Sequence, residues 1–349
     1  MGVPVSAASP ADELAGGLRA LIGAGAPGRR EITVDGLRQT GGGASREAWS
    51  FDARWAENGD RVSKPCFLLR NPPRGLLDSD PGWEFDVITV VHRSGIPTPQ
   101  PLWVDRDGSL LGRPGFVTER IPGTADRRRL LGDGREADQA KADEQLVSVL
   151  ARLHAIDVNA IGPPFGAPPA AREVAGQQLA HWVGIIDDAG LEPNPGIAEA
   201  AAWMARHLPV APRLSVVHGD YRYGNMLFDG ARLSGVLDWE MCHIGDPAED
   251  VVWPFRPFRR GTEPFQGWPA YLARYQTLTG DDIGRDRLVF YRMLAELKTM
   301  AIYLTGAAAV ADAGNPDVQL ANAAFGIDYA TRQLLAWIDE VEGVAPCTS

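Results

Sequence analysis

Between two apolar runs, Val216-Val217 and Met226-Leu227-Phe228, the chain places His218, Asp220 and Asn225 in the stretch VVHGDYRYGNMLFD. A plain surface turn asks for glycine, asparagine or aspartate, not for a histidine, a carboxylate and an amide at these intervals. The pattern H-x-D-x-x-x-x-N suits a division of labour on one rigid turn. The carboxylate of Asp220 can face an acceptor hydroxyl and take its proton as an O–P bond forms. The amide oxygen of Asn225, five residues on, can face Mg²⁺. A second carboxylate follows, because GVLDWEM puts Asp238 at the end of an apolar strand, 18 residues after Asp220. If the two apolar runs pair as a hairpin across Asp229-Gly230, Asp238 returns beside Asn225. Mg²⁺ keeps several waters, so one carboxylate, one amide and nucleotide phosphates are a sufficient ligand set. In the competing account Asp238 opens a turn and Asn225 caps a bend.

These groups need a frame. Upstream lie three strand-like segments, EITVDGL, EAWSFDARW and PCFLLRN, with TGGGASREA between the first two. Strand, glycines, strand is either a hairpin that brings backbone N–H groups to a ligand or a plain flexible turn. Pro81 to Ser94 reads as a helix with Trp83, Val87, Ile88 and Val91 on its apolar face, and SGIPTPQP ends it. LWVDRDG and GFVTERI read as two further strands. Residues 11 to 22 read as a short helix. The GAGAPG that follows fits a dinucleotide fingerprint only formally, since that motif needs a strand before it and a helix after it. Beyond Ile121-Pro122-Gly123 the pattern turns helical: Asp138 to His154, Ala171 to Ala189, Gly196 to Leu208, Trp268 to Thr279, Arg285 to Leu304 and Asn315 to Val341. The short strands LSVV, MLFD and LSGVLDW sit among them. The expectation is an α+β chain of two lobes. Residues 1–120 form a small antiparallel β-rich lobe with one long helix, and residues 121–349 a larger, mostly helical lobe.

Composition narrows the function. With 34 Lys+Arg against 45 Asp+Glu the net charge is −11, which disfavours a duplex nucleic-acid partner. Arg127-Arg128-Arg129 is a solvated loop or a site for an anionic substrate. No apolar run is long enough to span a bilayer, and the N-terminus lacks the basic start and apolar core of a secretory signal, although MGVPVS matches the loose myristoylation pattern. Cys66, Cys242 and Cys347 are few, widely spaced and odd in number, so a reducing, cytoplasmic setting is expected. His92, His154, His207 and His243 show no ligand spacing and are expected to be structural.

HGDYRYGNMLF, VLDWEMCHIGDPAEDV and GGGASREAWSF occur in the order found in the aminoglycoside phosphotransferase and choline kinase-like family, which the chain resembles over roughly residues 30 to 340 and which shares the protein-kinase fold. The resemblance implies an ATP- and Mg²⁺-dependent kinase for a small-molecule hydroxyl; the lack of a spanning apolar run leads to no membrane partner being expected. It implies that Asp220 is the catalytic carboxylate and that Asn225 and Asp238 hold Mg²⁺. It further implies that Gly41, Gly42, Gly43, Ala44 and Ser45 cover the phosphates, and that Thr118, Glu119, Arg120 and Ile121 form the hinge that receives adenine. His218, Asp246 and Asp250 then brace the catalytic loop. The sequence departs from kinase motifs at the third strand, where Arg70 stands in place of the usual lysine and is expected to pair with Glu84, Lys64 being a fallback. Glu240 in Asp238-Trp239-Glu240 is an extra metal or acceptor contact, or a surface carboxylate.

The acceptor is written elsewhere. Residues 290–311 are mostly apolar, with Glu296 the only carboxylate and Lys298 beside it. Either this is plain core helix or it lines a pocket for a neutral or partly apolar alcohol such as a hydroxyacyl compound. Two alternatives stay open: an aminoglycoside O-phosphotransferase, and a catalytically silent nucleotide-binding module. Tyr221 and Tyr223 either stack on the substrate or pack inside.

Overall fold

Ser9 starts the first helix for a local reason. Its hydroxyl accepts the Asp12 N–H while the Asp12 carboxylate reaches back to the Ser9 N–H, and Pro10 occupies the first turn, where a missing N–H costs nothing. This helix, α1 (Pro10–Ala24), runs into the GAGAPG stretch, and an extended strand follows it. The computed structural model describes residues 9–40, 46–72, 80–130, 134–189, 194–256, 263–313 and 318–343. They group into two units, Met1–Pro122 and Gly123–Ser349.

The first unit is built on five strands: β1 (Arg30–Thr40), β2 (Glu47–Glu57), β3 (Asp60–Arg70), β4 (Pro101–Asp105) and β5 (Gly115–Glu119). They pair in the order β1-β2-β3-β5-β4, every pair antiparallel. One face of this sheet carries Phe51, Ala53, Trp55, Cys66, Leu68, Trp103 and Val117 against Leu14, Leu18, Leu21 and Ile22 of α1. The helix α2 (Pro81–Arg93) is capped by Asp80, whose side chain accepts from the Gly82 N–H. Phe85 of α2 meets Phe116 of β5 edge-on, with ring centroids 6.2 Å apart. Phe116 and Val117 are neighbours in one strand and point to opposite faces, so α2 lies across the sheet from α1.

The second unit is mainly helical: α3 (Glu136–His154), α4 (Val174–Asp188), α5 (Pro195–Arg206), α6 (Ala248–Val252), α7 (Gly267–Thr279), α8 (Arg285–Ala313) and α9 (Val318–Glu342). Asn194 caps α5 by accepting the Gly196 N–H, and Gly280 ends α7 at φ +69°. The helix α8 continues nine residues past the expected end at Leu304. A single interior glycine, Gly306, costs about 1 kcal/mol, which the alanines after it offset by helix propensity. Two antiparallel pairs lie between the helices: β6 (Ser215–Val217) with β9 (His243–Gly245), and β7 (Met226–Asp229) with β8 (Arg232–Val236). The strand expected through Trp239 stops at Val236, because Asp238 turns the chain with φ +68°. Among the described residues no helix is long and apolar enough to cross a membrane.

Candidate active site

The loop leaves β6 at Val217 and must turn within two residues. Gly219 makes that possible: it sits at φ +85°, and a Cβ there would stand 2.5 Å from the Met241 carbonyl oxygen. Asp250, on α6, fixes the bend. Its Oδ2 accepts the His218 N–H at 2.7 Å and its Oδ1 the Gly219 N–H at 2.9 Å. His154 Nε2 lies 3.1 Å from the same Oδ2, and its Nδ1 lies 2.8 Å from the Tyr275 hydroxyl. One buried carboxylate thus holds two successive amides of the loop and a histidine from α3.

His218 works as a strut. Its Nδ1 accepts the Asp220 N–H at 3.1 Å, so Nε2 carries the proton and donates to the Leu237 carbonyl at 2.9 Å. Burial holds its pKa below the ordinary value despite the nearby Asp250 and Asp220 carboxylates. A neutral imidazole committed at both nitrogens ties the loop that bears Asp220 to the chain just before Asp238.

Asp220 is buried and heavily engaged. Oδ1 takes hydrogen bonds from Arg222 Nε at 2.8 Å and from Trp253 Nε1, with Arg256 Nη1 at 3.9 Å; Oδ2 takes one from Asn225 Nδ2 at 2.7 Å. Burial alone would raise its pKa, but the Arg222 and Arg256 charges and these hydrogen bonds outweigh it and bring it down to about 2. Such a group is ionised at every physiological pH and is a weak base. It orients a hydroxyl better than it deprotonates one.

Asn225 Nδ2 donates a second time, to the Asp220 carbonyl at 3.0 Å. With both amide hydrogens directed at Asp220, Oδ1 is the lone-pair group that faces elsewhere. The Leu237 N–H donates to the Asn225 carbonyl at 2.8 Å, and Met226 pairs with Val236, so the half-buried Asp238 follows one residue beyond this contact. Asp238 holds a left-handed conformation that a non-glycine residue adopts only at a cost, a form of strain concentrated at functional turns. Its charge is felt by Arg222. The β7–β8 hairpin brings the backbone of Asp238 next to that of Asn225, and an amide oxygen with a carboxylate is a donor set that suits a hard divalent cation such as Mg²⁺.

Asp246 accepts the Ala248 N–H at 2.8 Å and the Arg287 guanidinium at both oxygens, anchoring the start of α6 to α8. Tyr221 and Tyr223 do not face a substrate. Both are buried, donating to the Leu146 carbonyl and to Asp143 Oδ1. Glu240 is half-buried.

In the first unit one expected contact is corrected. Arg70 does not meet Glu84. Its Nε donates to Glu47 Oε2 at 2.9 Å and its Nη1 to the Leu111 carbonyl at 2.8 Å. Glu84, buried on α2, is instead paired with Arg46, Nη2 to Oε2 at 2.6 Å. The reason is strand parity: Arg70 alternates with Cys66 and Leu68 and so faces α1, whereas Glu84 lies on the other side. Lys64 shares that parity. Of the expected hinge residues, Thr118 is buried in β5, the Glu119 N–H donates to the Gln100 carbonyl, the Arg120 N–H to the Pro65 carbonyl, and Ile121 follows at the end of the unit. Gly41, Gly42, Gly43, Ala44 and Ser45 lie outside the described residues.

Lys298 escaped the sequence analysis as a participant in this loop. Fully buried, it donates to the Gly219 carbonyl at 2.5 Å and to Glu249 Oε1 at 3.0 Å, 4.5 Å from the Trp253 ring centroid. Burial would raise the Glu249 pKa, but Lys298 and His243 bring it to about 2. A lysine inside an apolar helical run was the available signal, because a buried charge needs a partner. Trp253 and Arg256 were also missed; nothing in WPFR marks them as neighbours of Asp220. Glu296 lies fully buried on α8, neither carboxyl oxygen taking a hydrogen bond from the described residues, and burial pushes its pKa up to about 7 against the pull of Arg256.

A loop that clamps a carboxylate to an amide, and a hairpin that returns a second carboxylate beside them, define with the five-stranded sheet a protein-kinase-like fold. The fold matches a crystal structure from Ralstonia eutropha, provisionally an aminoglycoside phosphotransferase, with TM-score 0.70 at 20% identity over 93% of this chain and 98% of that one. The chain belongs to the phosphotransferase enzyme family, whose model matches residues 44–291; ATP and Mg²⁺ are typical of that family. Among curated proteins it is 30% identical over 200 residues to acyl-CoA dehydrogenase family member 10 of Mus musculus, covering 55% of this chain and 18% of that protein. It is 33% identical over 170 residues to viomycin phosphotransferase of Streptomyces vinaceus, covering 45% of this chain and 55% of that one. The chain therefore spans less than two thirds of either relative.

Proposed function

We propose that this protein transfers the γ-phosphoryl group of ATP to the hydroxyl of a small molecule, a neutral or partly apolar alcohol such as a hydroxyacyl compound. The observation that carries the proposal is the clamp between Asn225 and Asp220. It commits both amide hydrogens of Asn225 to Asp220, so that Oδ1 is left as the acceptor, while the Leu237 N–H on the Asn225 carbonyl keeps the chain just before Asp238 alongside. Asn225 and Asp238 would hold Mg²⁺, which when bound neutralises the charge of the phosphates. Asp220 receives the acceptor hydroxyl and takes its proton late, as fits a loose transition state in which positioning and charge do most of the work. Residues 1–120 would bind the nucleotide, with Ile121 donating its N–H to adenine, since the amides of Glu119 and Arg120 are taken up by Gln100 and Pro65. Residues 121–349 would carry the metal and the acceptor. The two buried free thiols, Cys66 and Cys242, agree with a cytoplasmic setting.

The charges around Asp220 argue for the acceptor class. Arg222 and Arg256 both lie within 4 Å of its carboxylate, at 2.8 and 3.9 Å. Glu296 is sealed from solvent, and Lys298 is committed to Gly219 and Glu249. A polycation would be repelled by the two arginines there, whereas a neutral or acyl-bearing alcohol would not. The relative that is an acyl-CoA dehydrogenase family member agrees with an acyl-bearing acceptor, and viomycin phosphotransferase supports the second reading, an antibiotic phosphotransferase. A panel of hydroxy acids, hydroxyacyl thioesters, aminoglycosides and viomycin, incubated with γ-labelled ATP and Mg²⁺, tests both. Label transfer to hydroxyacyl compounds is expected. Transfer to antibiotics alone would favour the second reading, and no transfer above that of Asp220→Asn would remove the enzymatic one.

A further inference from the structure

On the side where Glu84 stands, β3 carries a single cation, Arg61, an exposed residue at the far end of the strand that lies 3.8 Å from Glu31. On that strand Pro65, Phe67 and Leu69 share the α2 face, while Lys64 and Arg70 share the other with Cys66 and Leu68. Arg70 is moreover bound into a partly buried ion cluster, since Glu47 accepts from Arg70 at 2.9 Å and from Arg113 at 2.9 and 3.0 Å. The cation that reaches Glu84 comes from a different place. Arg46 directly precedes Glu47 at the head of β2, so by alternation it faces α2; it binds Glu84 at 2.6 Å and donates from its other terminal nitrogen to Asn71 Oδ1. Both ends of the pair are more than nine-tenths buried, at 7% and 3% side-chain exposure.

We infer that Arg46 is the phosphate-gripping cation of the nucleotide site, oriented by Glu84 and Asn71, and that Arg70 is structural. The inference deepens the kinase reading and rests on it. A buried ion pair is a poor stabiliser, because desolvation cancels most of its attraction, so stability alone gives little reason to keep one here. A guanidinium fork can hold a carboxylate and two phosphate oxygens at once, which an ammonium on β3 does by a different geometry.

Calorimetric titration of the full chain with ATP, ADP and adenosine, alongside thermal melting, tests it. Arg46→Met is expected to weaken ATP and ADP at least about tenfold while adenosine stays within about twofold, Arg46→Lys to lose less, and Arg70→Met to bind all three like wild type. A uniform loss across the three ligands would indicate a merely structural residue and overturn the inference. So would an Arg46→Met protein that binds ATP normally, or a phosphate-dependent loss in Arg70→Met. If Arg46→Met does not fold, Arg46→Lys and Glu84→Gln decide on the same ratio of ATP to adenosine affinity. Wild-type protein that binds no ATP at all would overturn this inference and the kinase reading together, whereas normal ATP binding by Arg46→Met would leave the kinase reading intact.

Discussion

Asn225 directs both of its amide hydrogens at Asp220, one to the backbone carbonyl at 3.0 Å and one to Oδ2 at 2.7 Å. The side chain therefore does two things at once: it holds the Asp220 carboxylate still and keeps its own oxygen out of those hydrogen bonds. Asn225→Ala removes both. We expect kcat to fall on the order of 10²-fold and the Mg²⁺ concentration giving half-maximal rate to rise several-fold. A Mg²⁺ titration of initial rates checks this; a lower kcat with unchanged Mg²⁺ dependence would leave only the positioning role.

Lys298 and Glu249 are a buried pair whose lysine also caps the Gly219 carbonyl. Lys298→Met strands Glu249 beside His243 in the interior and is expected to cost about 3–5 kcal/mol in urea denaturation. Adding Glu249→Gln should recover a large part of that loss, because the uncompensated charge goes with it. Strict additivity of the two changes would mean that the pair does not act as one unit.

Asp250 accepts two loop amides and neighbours His154. Asp250→Ala leaves those N–H groups buried without an acceptor, at a cost of about 3 kcal/mol, and frees the bend that presents Asp220. Stability and kcat should both fall while the urea m-value stays constant. Full activity in a destabilised Asp250→Ala protein would separate the brace from catalysis.

The Glu296 carboxyl gives a pH signature. Its folded pKa is raised to about 7 by burial, partly countered by Arg256, from an ordinary value of 4.5. A raised pKa means that the folded state carries no penalty below pH 4.5 and loses stability progressively as pH climbs to 7. Glu296→Gln should therefore match wild type at pH 4.5 and exceed it by about 3 kcal/mol at pH 8. Denaturation at the two pH values checks this, and a difference that does not change with pH would contradict it.

The parts of this molecule that could be read from sequence are those set by local chemistry. Gly230 between two apolar runs marks the β7–β8 hairpin, and its register brings Leu237 onto Asn225. Ser9, Asp80 and Asn194, each followed by proline, mark helix starts. Arg70 was misjudged for a physical reason. PCFLLRN is apolar on both parities, so nothing in it tells which face turns to α1 and which to α2. The partner of Lys298 is 49 residues upstream and that of His154 is 96 residues downstream, and such pairings appear only once helices pack. Asp238 was legible as a residue type at a spacing, but its left-handed backbone was not.

The most direct measurement of the central claim is the turnover of Asp220→Asn on the best acceptor, with its affinity for Mg²⁺-ATP measured on the same preparation. Asparagine keeps the size and some of the hydrogen bonds of the site but cannot receive the hydroxyl proton. The kcat of Asp220→Asn is expected to be lower by about 10³-fold with nucleotide affinity within about threefold of wild type. A variant that turns over within tenfold of wild type would contradict it.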